Sequence, residues 1–222
     1  MKINFLTLFP EYFINPLQSS IIGKAVQTGK IEFRVIDIRD YAQDKHRITD
    51  ERPYGGGAGM VLKVEPIDRA LADLTGQGEQ FVLEKKSKQH QVVLTSAKGQ
   101  LFNQDLATEF SKLEELTIIC GHYEGVDERV AKNLVDQEIR IGDYVLTGGE
   151  PAGLVIADAV TRLLPGVLGN AESLSGESHQ EPGVLGHPQY TRPREYRGWV
   201  VPEVLLTGDH QKINQWREDK RE

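Results

Sequence analysis

Five short apolar runs, separated by stretches of helical period, constrain this chain more than any other feature. Residues 3–9, 32–38, 91–96, 116–120 and 137–141 each have the length and composition of a strand. Between them, residues 16–27, 66–74, 103–110 and 126–134 read as helices, and residues 155–163 add another after the last run. Ile67, Ala70, Leu71 and Leu74 share one helical face. Asn103 is placed to cap its helix. Asp127 and Glu128 put two acids where a helix dipole favours them. Strands alternating with helices predict an α/β fold with a mostly parallel sheet.

Two stretches break the alternation. Residues 40–59 have no clean period and many charges, which predicts a long functional loop. After Pro165 the texture changes: residues 170–189 are rich in Ser, Gly, Glu and Pro and read as a linker, and residues 210–221 read as a polar helix. A length of 222 residues suits one large domain, alone or with a smaller helical one. With 39% hydrophobic and 27% charged residues, the composition is neither disordered nor membranous. No apolar run reaches the roughly 18 to 20 residues that span a bilayer. The apolar start ends at Pro10 with no small-residue cleavage site behind it, so a buried strand is expected there, not a signal peptide.

A single cysteine, Cys120, excludes an internal disulfide framework and predicts a cytosolic protein. It closes the run Thr117-Ile118-Ile119-Cys120 and is expected to be a buried small hydrophobe, not a nucleophile. The six histidines show no metal-ligand spacing. A net charge of -7 argues against nucleic-acid binding driven by bulk charge, but leaves room for a local basic face. Lys85, Lys86, Lys88, Arg192, Arg194 and Arg197 are candidates for such a face. Trp199 and Trp216 are expected to pack or to form an interface, not to stack on bases.

Three glycine-punctuated loops carry the functional signal. They are Pro53-Tyr54-Gly55-Gly56-Gly57-Ala58-Gly59-Met60, Cys120-Gly121-His122-Tyr123-Glu124-Gly125, and Ile141-Gly142-Asp143-Tyr144-Val145-Leu146-Thr147-Gly148-Gly149-Glu150. Glycine lets a ligand approach the backbone closely. The first loop can form an anion nest or a flexible turn, yet lacks the Gly-Lys-Ser/Thr ending of a triphosphate loop. No dinucleotide fingerprint follows the first strand. Glu124 can bond a ligand hydroxyl or cap a helix. Arg162 can pair with Asp158 one turn earlier or serve a site. Glu177 and His179 read as either a catalytic segment or a solvated spacer; residue chemistry alone favours the spacer.

Taken with Phe5-Leu6-Thr7-Leu8-Phe9-Pro10, Asp44-Lys45-His46, Asp50-Glu51-Arg52, Pro165-Gly166-Val167-Leu168-Gly169, Pro188-Gln189-Tyr190-Thr191-Arg192-Pro193 and Gly208-Asp209-His210, these loops resemble one family nearly end to end. It is the bacterial tRNA (guanine-N1)-methyltransferases of the trefoil-knot (SPOUT) class. The resemblance implies a deep trefoil-knot α/β fold, mostly parallel, with a small helical C-terminal domain. It divides the chain into a knotted catalytic domain over 1–166, a flexible linker over 167–189 that contributes to the active site, and a tRNA-binding domain over 190–222. It implies a homodimer with active sites at the interface, S-adenosylmethionine as methyl donor, and magnesium as an additional requirement. The substrate is tRNA, methylated at N1 of guanosine 37; neither DNA nor membrane is an expected partner.

The same resemblance assigns residues. Ser96, Ala97, Gly99, Gly121, Tyr123, Glu124, Ile141, Gly142, Tyr144, Leu146, Gly148 and Gly149 match cofactor contacts. Arg162 matches the catalytic arginine, and Glu177 best matches a catalytic aspartate that acts as general base. The linker therefore becomes part of the site, with residues 173–182 expected to order on tRNA binding. Asp50, Arg52, Tyr54, Gly57, Gly59, Arg192, Asp209 and His210 match substrate contacts. Metal ligands are not assigned. In this chain the family's usual Ser-Pro-Gln-Gly loop reads Ser96-Ala97-Lys98-Gly99, and the usual Leu-Pro-Ala after Glu150 reads Pro151-Ala152-Gly153. Family members are expected to continue for a couple of dozen residues of basic character beyond the position of Glu222. A non-catalytic RNA-binding or cofactor-sensing homologue is the alternative in another function class. Methylation of a different RNA site is a third reading.

Overall fold

The computed structural model describes residues 1–78, 80–83, 87, 89–169, 177–179, 181 and 183–221. Lys85, Lys86 and Lys88, and the segment 170–176, lie outside the described residues. The chain forms two compact units, Met1–Leu168 and Gly169–Glu222.

The first unit begins with β1 (Lys2–Thr7), α1 (Glu11–Ile14), α2 (Ser20–Gln27) and β2 (Glu32–Asp37). Short strands β3 (Asp50–Glu51) and β4 (Val61–Leu62) follow, then α3 (Val64–Thr75) and β5 (His90–Leu101). The unit ends with α4 (Gln104–Phe110), β6 (Glu115–Cys120), α5 (Glu128–Asn133), β7 (Gln137–Arg140) and α6 (Glu150–Thr161). The main sheet has five parallel strands in the order β2-β1-β6-β5-β7. This is the parallel sheet that the alternation of strands and helices predicts.

Strand alternation divides the core into two layers. On one face Ile3, Phe5, Val93 and Ile118 pack with Phe13 of α1, Ala25 of α2, Phe110 of α4 and Ile156 and Val160 of α6. On the other, Leu6, Leu94 and Ile119 pack with Ile67 and Leu71 of α3 and Val130 of α5. Cys120 is fully buried, and burial pushes its thiol well above the ordinary range. It is the small hydrophobe its strand predicts.

Asn103 caps α4, accepting from Leu106 N at 3.0 Å. Several boundaries differ from the pattern. The α5 helix starts at Glu128 because Asp127 is its N-cap, accepting from Arg129 N at 2.9 Å. Glu124 therefore does not cap it. The last helix of the unit starts at Glu150, not near 155, with Pro151 in its first turn. The loop over 40–59 is not wholly irregular: Asp50 pairs with Leu62 and Glu51 with Val61 across β3 and β4.

The second unit holds β8 (Glu195–Tyr196), β9 (Trp199–Val200) and α7 (His210–Asp219). Asp209 caps α7, accepting from Gln211 N and Lys212 N at 3.2 Å each. The backbone and side-chain donors of Lys212 hold its carboxyl below the usual range. No described helix is long and apolar enough to cross a membrane.

Candidate active site

Open parallel sheets bind ligands outside the carboxyl ends of their strands. Here β5, β6 and β7 end around a cavity of about 450 Å³. Three loops line it: Ser96, Ala97 and Lys98 from β5, residues 121–126 after β6, and residues 141–142 and 144–149 after β7. Ala152 of α6 also lines it.

The β5 loop arises from a break in pairing. Thr95 and Gln100 both face Ile139 of β7, so residues 96–99 are displaced from the ladder as a bulge. Two cations brace it. Lys98 Nζ lies 2.6 Å from Glu128 Oε2 and 3.6 Å from Glu138 Oε1. The Arg140 guanidinium donates to the Gly99 carbonyl, and its Nε donates to Asp143 at 2.8 Å. Gly99 does not line the cavity; a Cβ there would collide with the backbone of Glu138.

The β6 and β7 loops are bonded to each other. Gly149 N donates to Gly121 O at 2.7 Å, and His122 bridges to Gly148 in antiparallel fashion. Gly121 N donates to Thr95 Oγ1 at 3.1 Å, which ties in β5. Gly149 has no alternative residue, because a Cβ would collide with Thr95 Oγ1 and press on Gly121 N. The cavity wall is thus closely packed backbone, with apolar Leu94, Ile139, Ile141 and Leu146 beside it. Tyr144 and Leu146 are partly exposed at 56% and 41%, leaving side-chain surface for a ligand.

Beneath the β6 loop lies a polar cluster that sequence reasoning did not assemble. The Glu150 carboxylate is buried and accepts from Thr7 Oγ1 at 2.7 Å. His122 Nδ1 stands 4.0 Å from the other carboxylate oxygen and has no hydrogen-bond partner. The available signal was a carboxylate directly after a glycine pair, where a helix N-terminus favours it.

The glycine-rich loop abuts this wall. Glu124 N donates to Met60 O at 3.1 Å, and the Glu124 side chain fills the space that a Cβ on Gly59 would need. Gly55, Gly56, Gly57 and Gly59 all have positive φ, from 78° to 130°. Tyr54 and Arg52 are exposed and Asp50 is half-buried. Eleven of the twelve expected cofactor residues therefore line one cavity, with Gly99 behind them.

Arg162 is placed elsewhere. It is the C-cap of α6, whose N-terminus meets the cavity, so the 12-residue helix carries it about 18 Å along the axis. It does not line the cavity of its own chain. Glu177, Arg192, Asp209 and His210 belong to the second unit. There Glu177 is half-buried, and the turn after it is held by His179 N donating to Val184 O at 2.8 Å. Ser173 and Pro182, the bounds of the expected ordering segment, lie outside the described residues.

Comparison with known proteins gives the same family. The profile of tRNA (Guanine-1)-methyltransferase TrmD matches residues 1–222. The chain belongs to this family. A tRNA (guanine-N(1)-)-methyltransferase of Carboxydothermus hydrogenoformans is 53% identical over 217 residues, covering 98% of this chain and 81% of that protein. The protein of the same description from Halalkalibacterium halodurans is 50% identical over 220 residues, covering 99% and 86%. That of Fusobacterium nucleatum is 51% identical over 217 residues, covering 98% and 84%.

Proposed function

We propose that this protein transfers the methyl group of S-adenosylmethionine to N1 of guanosine 37 in tRNA. The observation that carries the reading is the cavity at the ends of β5, β6 and β7, walled by closely packed glycine loops. Its backbone N–H and C=O groups suit the polar edge of an adenine, and Ile139, Ile141 and Leu146 suit its faces. The bound cofactor supplies an electrophilic methyl group on a sulfonium.

Guanine N1 carries a proton at neutral pH and is a poor nucleophile. Glu177 takes that proton as the N1–methyl bond forms and the sulfur–methyl bond breaks. Arg162 stabilises the negative charge that develops towards O6. Because Arg162 is distant from its own cavity, it serves the cavity of a second copy. Helices α1 and α2 each touch α6, and the three expose Tyr12, Ile14, Ile21, Val26 and Val155, an apolar surface consistent with such a homodimer. Asp50, Arg52, Tyr54, Gly57 and Gly59 hold the anticodon side of the tRNA beside the cavity. Arg192, Asp209 and His210 contact it from the second unit. Among the described residues no three His, Cys, Asp or Glu side chains gather as a metal cage. A magnesium ion would therefore rest on one or two carboxylates together with the substrate, and no step is routed through it.

The test uses labelled S-adenosylmethionine with unmodified tRNA bearing guanosines 36 and 37, and with a transcript altered at 37. Label in the first alone is expected; equal label in both would refute the site specificity. Glu177→Gln and Arg162→Ala should each lower the single-turnover rate by about 100-fold or more, with cofactor affinity kept.

A further inference from the structure

The second unit carries a hairpin whose chemistry the reading above leaves unused. Strands β8 and β9 pair antiparallel, with Tyr196 opposite Trp199. The turn between them is Arg197-Gly198, and both residues have positive φ, 54° and 83°. That is the two-residue turn whose twist matches its strands. Residues directly opposite project to the same face. The two rings lie 5.9 Å apart at 56°.

Trp199 nevertheless remains 70% exposed and Tyr196 53%. Of packing and an interface, the two roles expected of Trp199, this exposure favours the interface. Trp216 behaves differently: it is half-buried beside His187 and Tyr190. A ring pair that served only to hold the hairpin would not need an indole this open. The Arg197 guanidinium sits 5.2 Å from the Tyr196 ring centroid. Across residues 190–200 there are three arginines and one glutamate, in a chain of net charge -7. Open aromatic faces beside local positive charge match a nucleobase with its phosphate better than an apolar protein surface.

We propose that the Tyr196–Trp199 hairpin is a stacking platform for an unpaired nucleotide of the tRNA, with Arg197 and Arg192 meeting the flanking phosphates. The inference rests on tRNA being the substrate. Stacking tolerates any base, so the hairpin adds affinity and leaves the choice of guanosine to the cavity.

The experiment uses the full chain. In a Trp216→Phe background, Trp199 is the sole tryptophan. Its fluorescence is expected to be quenched by the tRNA transcript and by a single-stranded RNA oligonucleotide, but not by a blunt RNA duplex. Trp199→Leu keeps apolar contact with Tyr196 but loses the extended ring face. It should raise KM for tRNA about ten-fold, with KM for S-adenosylmethionine and the single-turnover rate at saturating tRNA unchanged. Trp199→Phe should recover most of the loss. Thermal unfolding checks that each variant is folded. An unchanged tRNA KM in a folded Trp199→Leu variant overturns the platform while methyl transfer stands. A changed oligomeric state with unchanged tRNA affinity also overturns it and assigns the surface to a protein contact. Absence of tRNA methylation by the unsubstituted protein overturns the reading beneath it.

Discussion

Gly149 shows how a single residue sets the cavity wall. Its N–H bonds Gly121 O, and its missing side chain lets α6 start against β6. Gly149→Ala would meet Thr95 Oγ1, Gly121 N and the Cys120 Cα together. Overpacking of this kind costs about 1–3 kcal/mol. The midpoint of thermal unfolding should fall, and cofactor affinity measured by calorimetry should drop at least about ten-fold. Adding Thr95→Ala should not restore binding, because the remaining obstacles are backbone atoms. Recovery in the double variant would show that only the threonine hydroxyl matters. The glycine itself was legible in the sequence as part of a glycine pair. Its contacts were not, because they come from β5 and β6, more than 25 residues earlier. Glu150 was missed for a similar reason. Its partners Thr7 and His122 are distant in sequence and meet only when β1 and β6 pair side by side.

At the scale of elements, the β5 bulge is the part that periodicity misread. Ser96-Ala97-Lys98-Gly99 interrupts the alternation, so the strand was expected to end at Ser96. Pairing with β7 resumes at Gln100 and carries the strand to Leu101. The start of α6 was missed because Pro151 and Gly153 are poor helix formers and the helix is buried on most sides. Lys98 has a defined role in the bulge. It joins Glu128 at the head of α5 to Glu138 of β7, and so holds the loop against two elements. The hydrogen bond to Glu128 raises the Lys98 pKa, and the same bond lowers that of Glu128. The sign follows directly. The lysine contribution is complete below its unfolded pKa and is lost as pH rises through the raised folded value. The glutamate contribution is complete above its unfolded pKa and is lost as pH falls through the lowered one. Between about pH 5 and pH 9 the clamp is fully charged. Cofactor affinity should therefore be insensitive to this pair across that range, yet weaken as salt rises. Lys98→Gln should raise KM for S-adenosylmethionine by roughly two- to five-fold and flatten its salt dependence, with little change in kcat. An equally steep salt dependence in the variant would remove Lys98 from loop positioning.

At the scale of the whole molecule, the division of labour along α6 is decisive. Its N-terminus meets the cavity, and its C-cap carries Arg162 about 18 Å away. The parallel α/β sheet and the cavity loops were legible because strand alternation and glycine spacing are local in sequence; the knot came only with the family resemblance. The separation of Arg162 from the cavity was not, because it depends on how far α6 extends between them. A second copy is needed if Arg162 acts on the reacting base, and subunit mixing can test this. One partner carries Arg162→Ala with an intact cavity. The other carries Leu146→Arg, which places a long charged side chain in a partly exposed cavity wall and leaves Arg162 in place. Each variant alone should be nearly inactive. In a mixed dimer, the intact cavity of the first faces the Arg162 of the second. Unfolding, mixing and refolding equal amounts should restore about one quarter of the wild-type activity, since half the dimers are mixed and each has one complete site. If Arg162 served the cavity of its own chain, neither site of the mixed dimer would be complete and no activity would return.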